Sequence, residues 1–337
     1  MTRTLIGTAV DKGLNDIARD PKRSIRQLID LGTFFAKGRF QRYFFDIFGE
    51  LLHNNESPYY DLITNLVRHV DRKLLKTFGM NLIYNGWTQG AKTVRSVEHE
   101  TGRNVPWTLL FALEAGQEAC LSRWQQIIDF ARGQGLYSFM LFCPPGFDPT
   151  LLRPLLQKNR SCAFLLFLSP AGVKEGLAGL LQEVKNTFVL LDMRAPGFAQ
   201  KAQVLYSAQC LYGAVYPYRE QDVPEIESGR PAQEANAAHA PFLFLQAHEH
   251  CPPKAQEDVC AFVLHARREP KTPVLYIDFF SDLAYIDDII SSEAGKGTLE
   301  APDGRPRPFP QSWHIRPQTL SQWEALLGDR LLEAEES

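Results

Sequence analysis

From Pro106 onward the chain alternates short apolar runs with amphipathic segments, and this alternation limits the fold more than any other feature. Parallel strands covered on both faces are typically continuous apolar runs of four to eight residues. The runs are Thr108–Leu113, Leu136–Phe142, Ala163–Ser169, Thr187–Met193, Leu211–Tyr216, Phe242–Ala247 and Val274–Phe279. The segments with helical periodicity are Leu121–Gln134, Pro149–Lys158, Val173–Lys185, Phe198–Gln209 and Lys254–Arg268.

Six or seven strand-and-helix units predict an α/β protein with a partial TIM-type (βα)6-like barrel of parallel strands. Ligands of such folds lie at the carboxyl ends of the strands. The stretch Arg219–Ala240 interrupts the alternation, because it is rich in Pro, Glu, Ala and Gly and has no apolar period. We therefore expect a loop or linker there.

The pattern divides the chain into three regions. Residues 1–103 have apolar positions three and four apart, which predicts a helical N-terminal extension, with a short turn over Leu82–Trp87. Residues 104–280 form the predicted barrel. Residues 281–337 predict a small C-terminal region with a helix around Leu283–Ser291, a Gly/Pro-rich passage over 295–310 and a terminal helix over Leu320–Leu332.

Composition excludes several classes of function. A formal net charge of -3 gives no basic field of the kind that nucleic-acid-binding proteins use, so no nucleic-acid partner is expected. No apolar run approaches the ~20 residues of a membrane span. The six cysteines show no Cys-x-x-Cys pair, which is typical of reduced thiols and predicts a cytoplasmic protein.

Several short stretches recur in the order of one known family. They are Asn104-Val105-Pro106-Trp107-Thr108, Ile127-Ile128, Gly133-Gln134-Gly135-Leu136-Tyr137, Val184-Lys185-Asn186, Pro273–Phe279, Asp282, Tyr285, Asp303-Gly304 and Thr319-Leu320. In these stretches the chain resembles radical S-adenosylmethionine (radical SAM) proteins, the bacterial type with a helical N-terminal extension and a SPASM or twitch-like C-terminal region. The resemblance covers most of the chain and implies a [4Fe–4S] cluster and S-adenosylmethionine as cofactors.

The cluster ligands implied by this resemblance are absent. The family holds the cluster with a Cys-x3-Cys-x2-Cys loop after the first strand, because three thiolates leave one iron for the cofactor. The corresponding positions here are Gln117, Leu121 and Trp124, and Cys120 is the one cysteine nearby. We interpret the loop as shortened and expect no cluster.

The other cofactor positions differ as well. Cys143-Pro144-Pro145-Gly146 stands where the family has Gly-Gly-Glu-Pro, and two prolines remove backbone N–H donors. Arg194 reverses the charge at a position where the family often has an acidic residue. The auxiliary-cluster cysteines correspond to Ile289 and Phe309. The sequence therefore predicts a degenerate, cluster-less pseudoenzyme that acts as a binding or regulatory module or as the partner of an intact radical SAM relative.

A metal-dependent enzyme is the alternative hypothesis. His248 and His250 follow the run Phe242–Ala247, and extended backbone places both imidazoles on one side. With Cys251, and with Asp278 at the end of the next run, they form a candidate zinc or iron site at the barrel mouth. The opposing interpretation is a polar junction between strand and loop, since Pro252-Pro253 follows directly.

Other candidates have simpler explanations. Cys143 lacks a neighbouring His to activate it as a nucleophile, and Cys162, Cys210 and Cys260 fit inert core thiols. Asp278, Asp282, Asp287 and Asp288 can hold a cation or cap a helix. An acidic partner or an anionic lipid surface would suit the N-terminal basic residues, but a solvated helix face fits them better; they are Lys22, Arg23, Arg26, Arg39 and Arg42.

Overall fold

The structure is a computed structural model of the 337-residue chain. It describes residues 3–35, 45, 47–101, 105–114, 116, 120–291 and 316–327. Several predictions lie outside these ranges: those on Arg39 and Arg42, on Gln117 and Phe309, and on the passage 295–310.

Seven parallel strands form one curled half-barrel, and each strand pairs with the next along the chain. The predicted α/β partial barrel is therefore confirmed, and all seven apolar runs form strands. The strands are β1 Leu109–Ala112, β2 Ser138–Phe142, β3 Ala163–Leu168, β4 Thr187–Asp192, β5 Tyr212–Tyr218, β6 Phe242–Ala247 and β7 Leu275–Asp278. Each falls on one of the predicted apolar runs.

Helices connect the strands and continue the chain at both ends. In the described residues the N-terminal helices are α1 Arg3–Arg19, α2 Pro21–Phe35, α3 Tyr59–His69, α4 Arg72–Gly79, the π-helix Met80–Gly90 and α5 Ala91–Thr101. The helices between strands are α6 Leu121–Gly133, α7 Arg153–Lys158, α8 Leu177–Val184, α9 Phe198–Ser207, α10 Val223–Glu227, α11 Arg230–Ala237 and α12 Pro253–Arg268. Helices α13 Phe279–Ile290 and α14 Leu320–Leu327 follow the last strand.

Two local predictions were wrong. The stretch Arg219–Ala240 is not a linker, because it forms the short helices α10 and α11 with buried Ile226 and Ala235. Leu82–Trp87 lies inside the π-helix and not in a turn. The buried carboxamides of Asn81 and Asn85 hold this helix to the barrel by donating hydrogen bonds of 2.8–2.9 Å to carbonyls of residues 160–162.

The two faces of the sheet carry different aromatic clusters. On the face covered by the crossover helices, Phe111 stacks on Trp124 of α6 at 4.5 Å between ring centroids. Neighbouring side chains along a strand alternate between faces, and Phe142 and Phe167 accordingly project to the concave side, where their rings stack at 4.1 Å. Helix α13 crosses this concave side and adds Phe279, whose ring centroid is 5.3 Å from that of Phe167.

The N-terminal helices are attached to the amino ends of the strands by residues in left-handed conformation. Lys185 and Gln209 have φ of 58° and 56°. Lys185 lies in the turn between α8 and β4, and Gln209 lies in the turn between α9 and β5. Lys185 Nζ lies 2.9 Å from the Asp71 carboxylate, and the Asp71 amide donates to the Gln209 carbonyl at 2.8 Å. Asp71 also caps α4, so one residue joins the extension to two turns of the barrel.

A C-terminal segment covers the open edge of β1. Gln318 pairs with Phe111 in a parallel bridge, and its backbone exchanges hydrogen bonds with Ala112 and Leu110. Trp323 of α14 is fully buried behind this bridge. Exposed strand edges invite pairing with other chains, so the segment protects the sheet at its first strand.

The apolar core of the described residues crosses the predicted boundary at 103. Leu74, Phe78 and Val94 share one cluster with the strands and with Trp323. Helices α1, α2 and α3 contribute to a second, smaller cluster with Leu14, Ile25 and Tyr60. The division into 1–103, 104–280 and 281–337 stays a prediction. Within the described residues, none of the helices combines the length and the hydropathy that crossing a membrane requires.

Candidate functional site at the carboxyl ends of the strands

Arg194, directly after β4, is held by an acidic and an aromatic partner. Its Nη1 lies 2.8 Å from Asp222 Oδ1, and its guanidinium lies over the Tyr216 ring at 5.0 Å from the centroid. The hydrogen bond with Asp222 raises the pKa of Arg194 above its ordinary value. The Arg194 side chain thus forms an internal ion pair.

The region predicted as a linker supplies the acidic partner Asp222, whereas Tyr216 belongs to β5. The Arg219 amide donates to Asp222 Oδ2 at 2.8 Å, and the Tyr216 hydroxyl donates to Glu225 Oε2 at 2.7 Å. Burial raises the pKa of Tyr216 above its usual range. Helix α10 is therefore fastened across the end of β5, which the Pro- and Glu-rich composition did not predict.

His248 and His250 lie near each other in a turn, which the Cys251 amide closes by donating to the His248 carbonyl at 2.9 Å, and not in the extended backbone that the sequence prediction assumed. Their ring centroids are 5.8 Å apart, and both residues are exposed. His248 Nε2 lies 3.4 Å from Arg219 Nη2, and His248 Nδ1 lies 3.4 Å from the His250 amide. A neutral imidazole has one acceptor nitrogen, so a given tautomer accepts one of these two weak bonds.

The other two predicted metal ligands have different surroundings. Cys251 is buried, and burial raises its thiol pKa. Asp278 is also buried and accepts a 2.7 Å hydrogen bond from Ser281 Oγ. It shares the face of β7 that carries Tyr276, whose ring contacts Phe262 of α12.

Across the ranges that the structure describes, no three His, Cys, Asp or Glu side chains lie close enough to hold a metal ion. The metal hypothesis stays a prediction that depends on His248 and His250. Burial raises the pKa of Asp278 to about 6, so its ionised form is disfavoured relative to an ordinary carboxylate.

The remaining acidic and basic candidates mostly have internal partners. Asp282 forms an ion pair with Arg267, whose Nε also donates to the Tyr276 carbonyl. Asp287 accepts the Trp107 amide at 3.1 Å. Arg26 donates to the Tyr60 hydroxyl at 2.8 Å. These contacts account for the residues structurally and favour neither a cation site nor a lipid-binding face.

Of the candidate thiol residues, Cys162 and Cys210 are buried, and Cys143 and Cys260 are half-buried. Burial raises the pKa of Cys162 to about 12 and of Cys210 and Cys260 to about 11. The Cys143 thiol pKa is raised further by the same cause. Since the thiolate is the reactive form of cysteine, none of these four groups is activated as a nucleophile.

A cavity of about 210 Å³ lies at the opposite, amino end of the strands, between α3 and the starts of β5 to β7. Sequence reasoning missed it. Its polar residues His69, Tyr206 and His239 come from three separate helix ends, and no spacing along the chain connects them.

Comparisons of this chain with protein-family models, with characterised proteins and with solved structures found no match. The radical SAM resemblance therefore depends on the sequence stretches alone, and fold by itself does not define function.

Proposed function

We propose that this chain is a non-catalytic binding or regulatory module, built on a half-barrel that resembles radical SAM proteins without their [4Fe–4S] and S-adenosylmethionine site. One observation carries the proposal: aromatic side chains of the chain itself occupy the concave face near the carboxyl ends of β2, β3 and β6. The resembled family places its cofactors at this end of the barrel.

The aromatic contacts leave little separation between the rings. Phe142 and Phe167 stack at 4.1 Å, and Phe279 lies 5.3 Å from Phe167 and 6.5 Å from Phe244 between ring centroids. Centroid distances of about 4.5 to 7 Å are those of direct aromatic contact. Phe279 of helix α13 therefore fills the space between β2 and β3 on one side of the half-barrel and β6 on the other.

The thiols near this end do not fit a cluster. The stretch from Leu113 to Leu121 contains one cysteine, Cys120, and a [4Fe–4S] cluster of this family needs three thiolates. Cys143 follows β2, but its raised pKa disfavours the thiolate. Cys120, Cys143 and Cys251 come from the separate connections after β1, β2 and β6 and do not form a compact three-cysteine loop.

An intact radical SAM relative is the partner that we propose for this module. The support is the retention of strands and crossover helices together with the loss of the cluster ligands. Such a partner would supply the chemistry, and this chain would supply a binding surface.

Anaerobic reconstitution with iron and sulfide tests the proposal. After desalting, we expect iron well below one atom per chain and no charge-transfer absorption near 400 nm, because the ligands for a cluster are missing. The measurements are iron and sulfide analysis together with the absorption spectrum.

The double variant Cys120→Ala/Cys143→Ala serves as the matched control. Trace iron that is equal in both proteins is adventitious and agrees with the proposal. Four iron atoms per chain in the wild type, lost in the double variant, would contradict it.

A further inference from the structure

The cavity at the amino end of the strands has the form of a small-molecule site. One wall is formed by Leu62 and Leu66 on the apolar face of α3 and by Val70 directly after the helix. The opposite wall contains Pro241 and Pro273, which precede β6 and β7. Concave sites with apolar walls and a few polar groups are typical of ligand pockets.

Three aromatic rings form the side of this cavity. The Tyr206 hydroxyl lies 3.0 Å from His69 Nδ1, and the His239 ring stacks on Tyr206 at 4.3 Å with an interplanar angle of 19°. His239 adopts a left-handed backbone with φ of 55°, which is costly for a residue with a Cβ. The turn before β6 thus holds an imidazole flat against a phenol at the cavity wall.

Two carboxamide side chains complete the polar lining of the cavity. Asn65 of α3 and Asn236 of α11 line the cavity, and both are exposed. In the part of the chain that the structure describes, neither side chain forms an internal hydrogen bond that would occupy its donors and acceptors. A carboxamide offers two donors and one acceptor oxygen, and it can bond a purine edge in bidentate fashion.

Charge and size restrict the ligand. Among the described residues that line the cavity there is no Asp, Glu, Lys or Arg, so no permanently charged side chain compensates a formal charge, and His69 and His239 carry a charge only when protonated. The volume of about 210 Å³ lies between the roughly 150 Å³ that admits benzene and the roughly 300 Å³ at which drug-sized sites begin. One ring or two fused rings fit this space.

We infer that this cavity binds a neutral planar heterocycle of one or two rings, of the purine-base class, stacked near Tyr206 and His239 and hydrogen-bonded by Asn65 and Asn236. The site lies at the end of the barrel opposite the family's cofactor position. It therefore goes beyond the proposed function and does not depend on it.

Ligand-observed NMR titration with adenine tests the inference on the full-length chain. We expect saturable binding with Kd below about 1 mM. Asn236→Ala is expected to weaken binding about tenfold, the equivalent of one lost hydrogen bond. Asn65→Trp places a bulky ring at an exposed lining position and is expected to abolish binding.

Gln233→Ala is the matched control, since Gln233 is an exposed residue of α11 that does not line the cavity. It should bind adenine like the wild type. Benzamidine and benzoate, charged rings of similar size, should not bind. Absence of adenine binding at 5 mM, equal binding by Asn65→Trp, or a preference for either charged ring would overturn the inference. Thermal unfolding of each variant verifies that it is folded.

Discussion

Replacing Trp323 with alanine is expected to lower the free energy of unfolding by roughly 3 to 5 kcal/mol, the range for large aromatic residues in well-packed cores. Trp323 is fully buried, and its Nε1 donates to the Leu110 carbonyl at 3.2 Å. Its ring also contacts Phe111 at 6.0 Å between centroids. The substitution leaves a cavity and removes one of the two donors to the Leu110 carbonyl, which also accepts from the Gln318 amide at 3.0 Å. Urea denaturation followed by circular dichroism measures the loss.

Glu324→Ala is the control on the same helix, because Glu324 forms a partly exposed ion pair with Arg123. Such pairs contribute about 0 to 1 kcal/mol. A loss below about 1 kcal/mol for Trp323→Ala would show that the C-terminal segment does not stabilise the edge of β1.

Replacing Asp278 with asparagine is expected to stabilise the protein at pH 8 and to leave its stability nearly unchanged at pH 3.5. Burial raises the pKa of Asp278 to about 6 in the folded state, against about 3.9 in an unfolded chain. The folded state therefore retains a proton that the unfolded state releases as pH rises from about 4 to 6, and stability falls across that window. The accumulated cost above pH 6 is about 3 kcal/mol.

Asparagine stays neutral and keeps an oxygen for the Ser281 hydroxyl, so it avoids this cost. Asp282→Asn is the matched comparison with the opposite sign, because it removes the ion pair with Arg267 and should destabilise the protein at pH 8. Chemical denaturation at both pH values measures all three proteins. Destabilisation by Asp278→Asn at pH 8 would mean that the ionised carboxylate supports the fold.

The strands were predictable because the central ones are buried on both faces, as continuous apolar runs such as Ala163–Leu168 and Thr187–Asp192 show. Helices α10 and α11 were not. Each is short and begins with proline in its first turn, and their buried side chains are few and small apart from Ile226. A helix of five to eight residues supplies too few apolar positions to reveal a period.

The candidate site was predictable only in part. The sequence placed His248 and His250 on one side by assuming extended backbone, whereas a turn over residues 248–251 brings their rings near each other. Asp278 lies on the face of β7 that packs toward α12. The sequence did not reveal which face this is, because that depends on the register of β7 in the sheet. The cavity beside His239 required knowledge of where α3 docks, which no local pattern in the sequence encodes.

Titration calorimetry with S-adenosylmethionine tests the central claim most directly. The claim is that the chain's own aromatic side chains have replaced the cofactor site of the resembled family. The titration uses the protein after anaerobic treatment with iron and sulfide, with an intact radical SAM protein as the positive control. We predict heats equal to ligand dilution for this chain up to about 1 mM ligand. Stoichiometric binding with Kd below about 100 µM would contradict the claim.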